Sequence, residues 1–355
     1  MKRFFQSTTT KTLTLKRGVF GISASSILLI LLVFLPAFTL APSPPVWVPK
    51  PMALWGFDMR LLISRPLTNF SSLVHAVRGE PAIVYIYPAQ QITFQSDGLT
   101  IVGDLYGADG SSNKPAVLLL HGSTPQGRKL GLYRLMSSKL AEIGYIVLAI
   151  DLRGYGQSDN PTEVLDAEEF NFAEDVNAAL AYLVSLPDVI PERLFLVGHS
   201  FGGDVALTAV ATQAADVGKL VLIGPGRRFL ERGGTPDAPE FDYFRRREMR
   251  YMWLPSPIPA AIFQEYRATM PLENHLDYLA QPAHTPLLLL DGELESKEDQ
   301  KFLQEIFFLA AGEKAYATLT KADHHVNVAN FGSLLVYDKV ALAQLMLELE
   351  TFFAE

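Results

Sequence analysis

Residues 194–203 carry the clearest chemical signal in the chain, and they read Leu-Phe-Leu-Val-Gly-His-Ser-Phe-Gly-Gly. The apolar run 194–197 has the length and composition of a buried strand, and residues 204–211 read as a helix without a breaker. Between them, residues 198–202 fit the pattern G-x-S-x-G, in which a strand turns sharply into a helix and lifts the serine hydroxyl above the sheet. Glycines flank the serine because such a turn leaves no room for side chains. We therefore predict that Ser200 is a nucleophile.

A serine that attacks an acyl carbonyl needs a base, an acid that orients the base, and two donors for the oxyanion. In open parallel sheets these groups follow the carboxyl ends of the strands, because ligands bind at that edge. Polar residues follow three further apolar strands: His121-Gly122-Ser123-Thr124, Asp291-Gly292-Glu293-Leu294-Glu295, and Lys321-Ala322-Asp323-His324-His325. The chain thus offers candidates for every role.

The elements that must position these residues alternate along the chain. Nearly continuous apolar runs predict buried strands over 116–120, 145–150, 194–197, 219–223 and 286–290, with a weaker one over 315–319. Helices are predicted over 133–143, 172–186, 204–211 and 334–353. Residues 91–95 and 99–106 alternate apolar and polar side chains around a Ser-Asp-Gly turn, which predicts a hairpin. This alternation indicates an α/β fold with a mainly parallel central sheet covered by helices on both faces.

One interval is too long for a simple connection. About 60 residues separate the strand that ends at Ile223 from the strand that starts at Pro286, and they contain clusters of aromatic residues and arginines. Long excursions of this kind are often lids. We predict a cap of short helices over about 225–283, and the alternative is a surface insertion without a role.

Four motifs in a fixed order now point to a family: His121-Gly122, Asp151-Leu152-Arg153-Gly154-Tyr155-Gly156-Gln157-Ser158, Gly198 to Gly203, and Asp323-His324. With them, residues 90–355 resemble the α/β-hydrolase superfamily, esterases, lipases and serine aminopeptidases among them. The resemblance implies the triad order serine, acid, histidine, which here gives Ser200, Glu295 and His324.

The resemblance also implies an oxyanion hole made by the backbone N–H groups of Ser123 and Phe201. It gives His121 the task of bracing its loop, and it gives residues 151–158 a structural role near the site.

Alternatives remain for two members of the triad. The family usually has an aspartate where this chain has Glu295, and Glu293 and Asp291 are the other candidate acids. His325 competes with its neighbour His324 for the role of base.

Composition excludes several classes of function. The chain has 355 residues, a formal net charge of −8 and no cysteine. The negative charge and the lack of a basic stripe argue against a nucleic-acid partner. The absence of cysteine removes disulfides, thiol catalysis and cysteine metal sites. No H-E-x-x-H motif occurs, so we expect neither a metal nor a cofactor.

The first 41 residues predict a membrane anchor. Residues 1–17 contain lysines and arginines but no acid, and no charged side chain occurs in 18–49. Residues 18–40 are long enough to cross a bilayer core, which needs about 20 residues of helix. The basic flank would stay in the cytoplasm, so the rest would lie outside. The alternative is a signal peptide cleaved after Ala41, which would leave a secreted protein.

Residues 42–89 read as a proline-rich linker over 42–51 followed by a lead-in segment. The lead-in would either lie on the membrane surface or pack on the catalytic domain.

Together these patterns predict a membrane-anchored, extracytoplasmic serine hydrolase. We expect it to cleave a small-molecule ester through an acyl-enzyme, and the cap aromatics favour an apolar acyl group. The alternatives on the same triad are a peptidase or amidase and a cofactor-free haloperoxidase-like enzyme. A different class of alternative is a catalytically silent binding protein on the membrane.

Overall fold

The computed structural model describes most of the chain from residue 66 onward. The described residues are 12–13, 53–54, 57–58, 66–86, 89–110, 113–161, 166–212, 215–225, 235–237, 241–252, 254, 258–269 and 272–354. The predicted anchor over 18–40 and the proline-rich linker over 42–51 lie outside them. Among the described residues, no helix combines the length and the apolar character needed to span a bilayer.

Eight strands form the central sheet. In chain order they are β5 (Gln90–Ser96), β6 (Leu99–Tyr106), β7 (Lys114–Leu120), β8 (Ile146–Asp151), β9 (Val189–His199), β10 (Lys219–Ile223), β11 (Leu287–Gly292) and β12 (Lys314–Leu319). Their spatial order is β12-β11-β10-β9-β7-β8-β6-β5. All neighbours are parallel except β5 with β6 and β6 with β8. The carboxyl ends of β7, β9, β11 and β12 therefore meet at one edge.

The predicted hairpin is confirmed as the antiparallel pair β5–β6. Its turn places Asp97 and Gly98 at φ 48° and 76°, the left-handed conformations that a two-residue hairpin turn of this kind requires.

Helices cover both faces of the sheet, as predicted. They are α2 (Gly131–Glu142), α3 (Phe172–Val184), α4 (Phe201–Ala211), α8 (Lys297–Leu309) and α9 (Lys339–Ala354). Alternate residues of β7 enter opposite cores: Leu118 packs in the cluster that contains α3 and α4, and Leu119 in the cluster that contains α2 and α9. The hydrophobic alternation along each strand thus divides the apolar side chains between two layers of helices.

Short helices occupy the interval between β10 and β11, where we predicted a cap. They are α5 (Phe241–Tyr251), α6 (Ala260–Thr269), a 3₁₀ turn (Leu272–His275) and α7 (Leu276–Leu279). The rings of Tyr266 and Phe170 lie 4.9 Å apart, and Phe241 packs on Phe263. Tyr243 is 59% exposed. Phe241 therefore contributes to the packing of the cap.

A second, antiparallel sheet was not predicted. Its order is β1-β4-β14-β13, with β1 (Thr12–Leu13), β4 (Pro81–Tyr85), β13 (Val328–Phe331) and β14 (Leu334–Asp338). A separate two-stranded pair joins β2 (Ala53–Leu54) to β3 (Phe57–Asp58). Helix α1 (Pro66–Arg78) contacts β13, β14 and β4.

The C-terminal helix therefore begins later than predicted, at Lys339 instead of about Leu334. Residues 334–338 pair with β4 on one side and with β13 on the other, and this pairing overrides their helical appearance. Asp338 ends the strand and accepts a hydrogen bond from the N–H of Val340 at 3.0 Å, as a helix-capping side chain does.

Helix α1 and strand β4 of the lead-in segment pack on the catalytic domain, one of the two predicted outcomes. Because β4 pairs with β14 along its whole length, the boundary predicted at residue 89 does not separate two structural units. The structure also pairs Thr12 with Val84 and Leu13 with Ile83.

Candidate active site

Ser200 lies between the last residue of β9 and the first residue of α4, as the G-x-S-x-G pattern predicts. Its backbone has φ 53° and ψ −125°, a strained conformation that the surrounding packing must hold. A Cβ on Gly202 would lie 2.6 Å from the carbonyl oxygen of Leu120, and one on Gly198 would lie 2.2 Å from that of Gly202. Both contacts are with backbone, so only glycine fits. The serine is thus fixed at the positive end of α4.

Glu295 and His324 meet at the same edge of the sheet, from the loops that follow β11 and β12. His324 Nδ1 lies 3.1 Å from Glu295 Oε2, and the N–H of Gly292 donates to Glu295 Oε1 at 3.3 Å. Because an ionised carboxylate can only accept, Nδ1 carries the hydrogen and Nε2 is the basic nitrogen.

Several forces act on the pKa of Glu295. Burial alone would raise it, but the charge and hydrogen bond of His324, the field of His199 and the N–H of Gly292 together lower it. Glu295 is therefore ionised at neutral pH, as an acid that orients a histidine must be.

The turn at residues 198–202, where β9 leads into α4, is called the elbow. His199, which precedes the serine, joins this elbow to the loop of His324. Its Nε2 donates to the carbonyl oxygen of His324 at 2.7 Å, and its Nδ1 accepts from the hydroxyl of Tyr133 at 2.8 Å. The same hydroxyl accepts from the N–H of Gly122 at 2.7 Å. Burial, aided by the field of His324, lowers the pKa of His199 to about 3, so the ring is neutral. One side chain thus holds two loops against the elbow.

The loop after β7 packs directly on the elbow, at the position where we predicted the oxyanion hole. A Cβ on Gly122 would lie 2.9 Å from the Cβ of Ser200, so the backbone of this loop approaches the serine closely. His121 braces the loop: its Nε2 accepts from the N–H of Leu152 at 3.1 Å, and its Nδ1 donates to the carbonyl of Gly122 at 2.7 Å. The backbone of Ser123 is therefore held in a defined position.

Comparisons with known proteins agree with this architecture. A family model described as Hydrolase_4, serine aminopeptidase S33, matches residues 111–249. The chain is 36% identical over 122 residues to the AB hydrolase superfamily protein YisY of Bacillus subtilis, covering 34% of this chain and 41% of that protein. These comparisons all indicate the α/β-hydrolase superfamily, whose fold the chain has.

A further relative of this chain is the 2-hydroxy-6-oxononadienedioate/2-hydroxy-6-oxononatrienedioate hydrolase of Paraburkholderia phymatum, 33% identical over 119 residues (33% of this chain, 38% of that protein). The chain spans about two fifths of the length of these curated relatives.

Solved structures share the fold of this chain. Est1E from Butyrivibrio proteoclasticus, with ferulic acid bound, has a TM-score of 0.53 at 18% identity, covering 74% of this chain and 98% of that one. The α/β hydrolase GrgF from Penicillium sp. sh18 has a TM-score of 0.51 at 19% identity, covering 75% and 98%.

The other two candidate acids make contacts elsewhere. Glu293 Oε2 accepts from the N–H of Lys321 at 2.7 Å, at an exposed position. Asp291 accepts from the hydroxyl of Tyr316 at 2.8 Å, and burial raises its pKa even though Tyr316 and Thr318 donate to it. The geometry thus brings Glu295, and neither rival, to the histidine.

The competing base, His325, is anchored by its backbone, whose N–H donates to Asp323 Oδ1 at 2.9 Å. Its ring centroid lies 5.8 Å from that of His199, farther than that of His324 at 4.6 Å. His324 is therefore the nearer of the two imidazoles to the residue that precedes the nucleophile.

Residues 151–158 form a buried structural network, in keeping with the structural role that the family resemblance implies. Arg153 donates to Asp175 at 2.8 Å, and both side chains are buried. The backbone N–H of Gln157 donates to Asp151 at 2.7 Å. Within the part of the chain that the structure describes, no cluster of three or more histidine or acidic side chains could hold a metal ion.

Sequence reasoning missed two residues that touch the site. Gly224, directly after β10, has φ 49°, and a Cβ there would lie 2.8 Å from Glu295 Oε1 and 3.2 Å from His324 Nδ1. A glycine that ends a predicted strand beside the elbow was the available signal. The other residue is Glu248 of α5, which is 1% exposed.

Glu248 connects the cap to the loop after β7, residues 121–124, which we call the oxyanion loop because the oxyanion hole is predicted there. The hydroxyl of Ser123 donates to its two oxygens at 3.2 and 3.3 Å, and that of Tyr155 donates at 2.5 Å. Arg247 Nη2 donates to the same carboxylate at 2.7 Å. No sequence pattern marks this residue, because it lies in an arginine-rich helix that reads as solvated surface.

Proposed function

We propose that this α/β hydrolase is a serine hydrolase that cleaves an acyl ester through an acyl-enzyme intermediate. The observation that carries the proposal is the Glu295–His324 pair. The backbone of His324 is hydrogen-bonded at 2.7 Å to His199, the residue before Ser200. A nucleophile elbow without an oriented imidazole would support only the fold.

In the proposed mechanism, Nε2 of His324 takes the proton of the Ser200 hydroxyl as the oxygen attacks the acyl carbonyl. The backbone N–H groups of Ser123 and Phe201 would stabilise the oxyanion. The intermediate collapses by breaking the bond to the leaving oxygen, which takes the proton from His324. His324 then takes a proton from a water as that water attacks the acyl-enzyme. The bond to Ser200 breaks, the serine oxygen takes the proton back from His324, and the acid is released. Throughout, ionised Glu295 stabilises the imidazolium.

The substrate class is also a proposal. Est1E, a structural neighbour, has ferulic acid bound, and this supports a carboxylic ester. The match to the serine aminopeptidase family model supports a peptidase or amidase as the second candidate. p-Nitrophenyl acyl esters compared with aminoacyl-naphthylamides distinguish the two, because each releases its chromophore only when its own bond is cleaved.

A fluorophosphonate probe tests the chemistry. We expect labelling of the native protein and none of Ser200→Ala, with ester turnover reduced by about 10⁴-fold or more. Ser185→Ala, at an exposed position in the turn after α3, is the matched control and should label normally. A folded native protein that neither labels nor turns over any ester would contradict the proposal and favour a silent binding protein.

We also propose that residues 18–40 anchor the enzyme in a membrane, with the catalytic domain outside and a small-molecule substrate as its partner. The support is the apolar, uncharged sequence and its basic flank. The pairing of Thr12 with Val84 opposes this topology, because an anchor would place the two residues on opposite sides of the bilayer.

Alkaline carbonate extraction of the full chain distinguishes these arrangements. An anchored enzyme stays with the membrane, and Leu31→Arg releases it because a charge at the bilayer centre costs about 3 kcal/mol. Release of the native chain, uncleaved, would contradict the anchor, and release of a shortened chain would indicate a signal peptide.

A further inference from the structure

Helix α1, from the lead-in segment, makes direct side-chain contact with the loop of the candidate base. The hydroxyl of Ser72 donates to Asp323 Oδ2 at 2.7 Å, and His75 Nδ1 lies 3.3 Å from the same oxygen. Asp323 is the residue immediately before His324, and Ser72 is only 1% exposed. These contacts join residues 251 and 248 positions apart in the chain.

The other oxygen of Asp323 organises the loop around His324. Oδ1 accepts from the N–H of His325 at 2.9 Å and from the N–H of Asn327 at 2.8 Å. Asn327 Oδ1 in turn accepts from the N–H of Asp323 at 3.0 Å. The carboxylate therefore closes a ring of hydrogen bonds around the residue that carries the imidazole.

This loop needs external support, because the β-branched residue Val326 has an unfavourable backbone conformation. Val326 and Asn327 have φ 53° and 55°, a left-handed region that costs a β-branched residue such as valine of the order of 1–3 kcal/mol. Such a conformation persists only where the surroundings over-determine it. Asp323, held from outside by α1, is one such support.

Helix α1 is itself fixed near both ends. Asn69 forms two hydrogen bonds with the backbone of Asn330 on the edge strand β13, at 2.6 and 3.1 Å. At the other end, the N–H of Glu80 donates to Asp338 at 3.1 Å, and the N–H of Lys339 donates to the carbonyl of Glu80 at 3.0 Å. The helix can therefore act as a rigid support.

From this arrangement we infer that Ser72 and His75 are positioning residues for the general base, which they orient through Asp323. The inference rests on the proposed function of Ser200 and His324. It makes the lead-in segment part of the active site rather than a spacer between an anchor and an enzyme.

The expected consequence is a loss of turnover with little change in substrate binding. The contacts reach only the loop of the base, whereas misplacement of a catalytic group by about 1 Å can cost about 100-fold in rate. We expect Ser72→Ala to lower kcat by about 10-fold and Ser72→Ala/His75→Ala by about 100-fold, with KM changed by less than about twofold. Asp323→Asn should resemble the double variant.

Ser71→Ala is the matched control, because Ser71 precedes Ser72 on the same helix but is exposed. It should leave kcat and Tm at the native values. Ser72→Thr keeps the hydroxyl and should restore more turnover than Ser72→Ala. If the double variant does not fold, His75→Ala alone provides the test, since the His75 side chain is 27% exposed and its removal leaves a small cavity.

The outcomes separate this inference from the proposed function. Native turnover that Ser200→Ala abolishes, together with equal kcat for Ser72→Ala and Ser71→Ala, would overturn the inference and leave the function intact. A rise in KM at unchanged kcat would also overturn it, because the helix would then act on binding. Turnover that survives Ser200→Ala would overturn the proposed function itself.

Discussion

The candidate nucleophile and the candidate base of this chain are positioned in opposite ways. Ser200 is held by consecutive residues, since glycines at 198 and 202 and the strand and helix on either side shape the turn. His324 is held by residues from three distant parts of the chain: Glu295, His199 and, through Asp323, Ser72. The position of Ser200 can be predicted from neighbouring residues and tolerates changes elsewhere in the chain. The position of His324 depends on the whole fold.

The largest effect should come from the acid that orients His324. Glu295→Gln keeps the size of the side chain but removes the charge that selects the Nδ1–H tautomer. Where such an acid has been replaced by its amide, kcat falls by about 10⁴-fold. We expect a loss of about 10³- to 10⁴-fold in kcat for the ester substrate.

Glu293→Gln is the matched control for that prediction, because it is the same substitution two residues earlier in the same loop. Its exposed carboxylate accepts only the N–H of Lys321 among the contacts that the structure gives, so turnover should change by less than about twofold. If the two variants exchanged these phenotypes, the assignment of the acid would be wrong.

Features formed by neighbouring residues could be predicted from the sequence, whereas features formed by distant residues could not. The elbow, the hairpin and the cap interval come from short-range patterns, and the structure has each of them. The sequence predicts the start of α9 too early, because strand β14 forms by pairing with β13 on one side and with the distant strand β4 on the other. The contacts of Ser72 with Asp323 and of Glu248 with Ser123 could not be predicted, since each joins residues more than 100 positions apart.

His199 belongs to the elbow but supports the loop of the candidate base. Its pKa is about 3 in the folded protein against a usual value of 6.5. Between these values the unfolded state binds more protons, so the contribution of this ring to stability is complete above pH 6.5 and is lost as the pH falls toward 3.

We therefore expect the free energy of unfolding to fall by about 1.4 kcal/mol per pH unit through this one group below about pH 6. Urea unfolding of the native protein and of His199→Gln from pH 7 to pH 5 measures it. The variant should lack this part of the slope. Parallel pH dependences would show that His199 is not the group responsible. The range above pH 5 avoids protonation of Glu295, whose pKa is lowered below 4.5.

The smallest effect should come from the cap, where Glu248 holds the oxyanion loop through the hydroxyl of Ser123. Glu248→Gln preserves the size and one acceptor oxygen, so we expect kcat/KM to fall by about 3- to 10-fold, the scale of a single weakened hydrogen bond to a charged group. Asp242→Asn is the matched control, because Asp242 lies on the same helix and pairs at the surface with Arg245 and Arg246. If Glu248→Gln and Asp242→Asn behave alike, the oxyanion loop is held by its own backbone and by His121, and so resembles the elbow. If only Glu248→Gln is slower, the cap takes part in positioning the oxyanion donors. Residues distant in the chain would then position groups on both sides of Ser200.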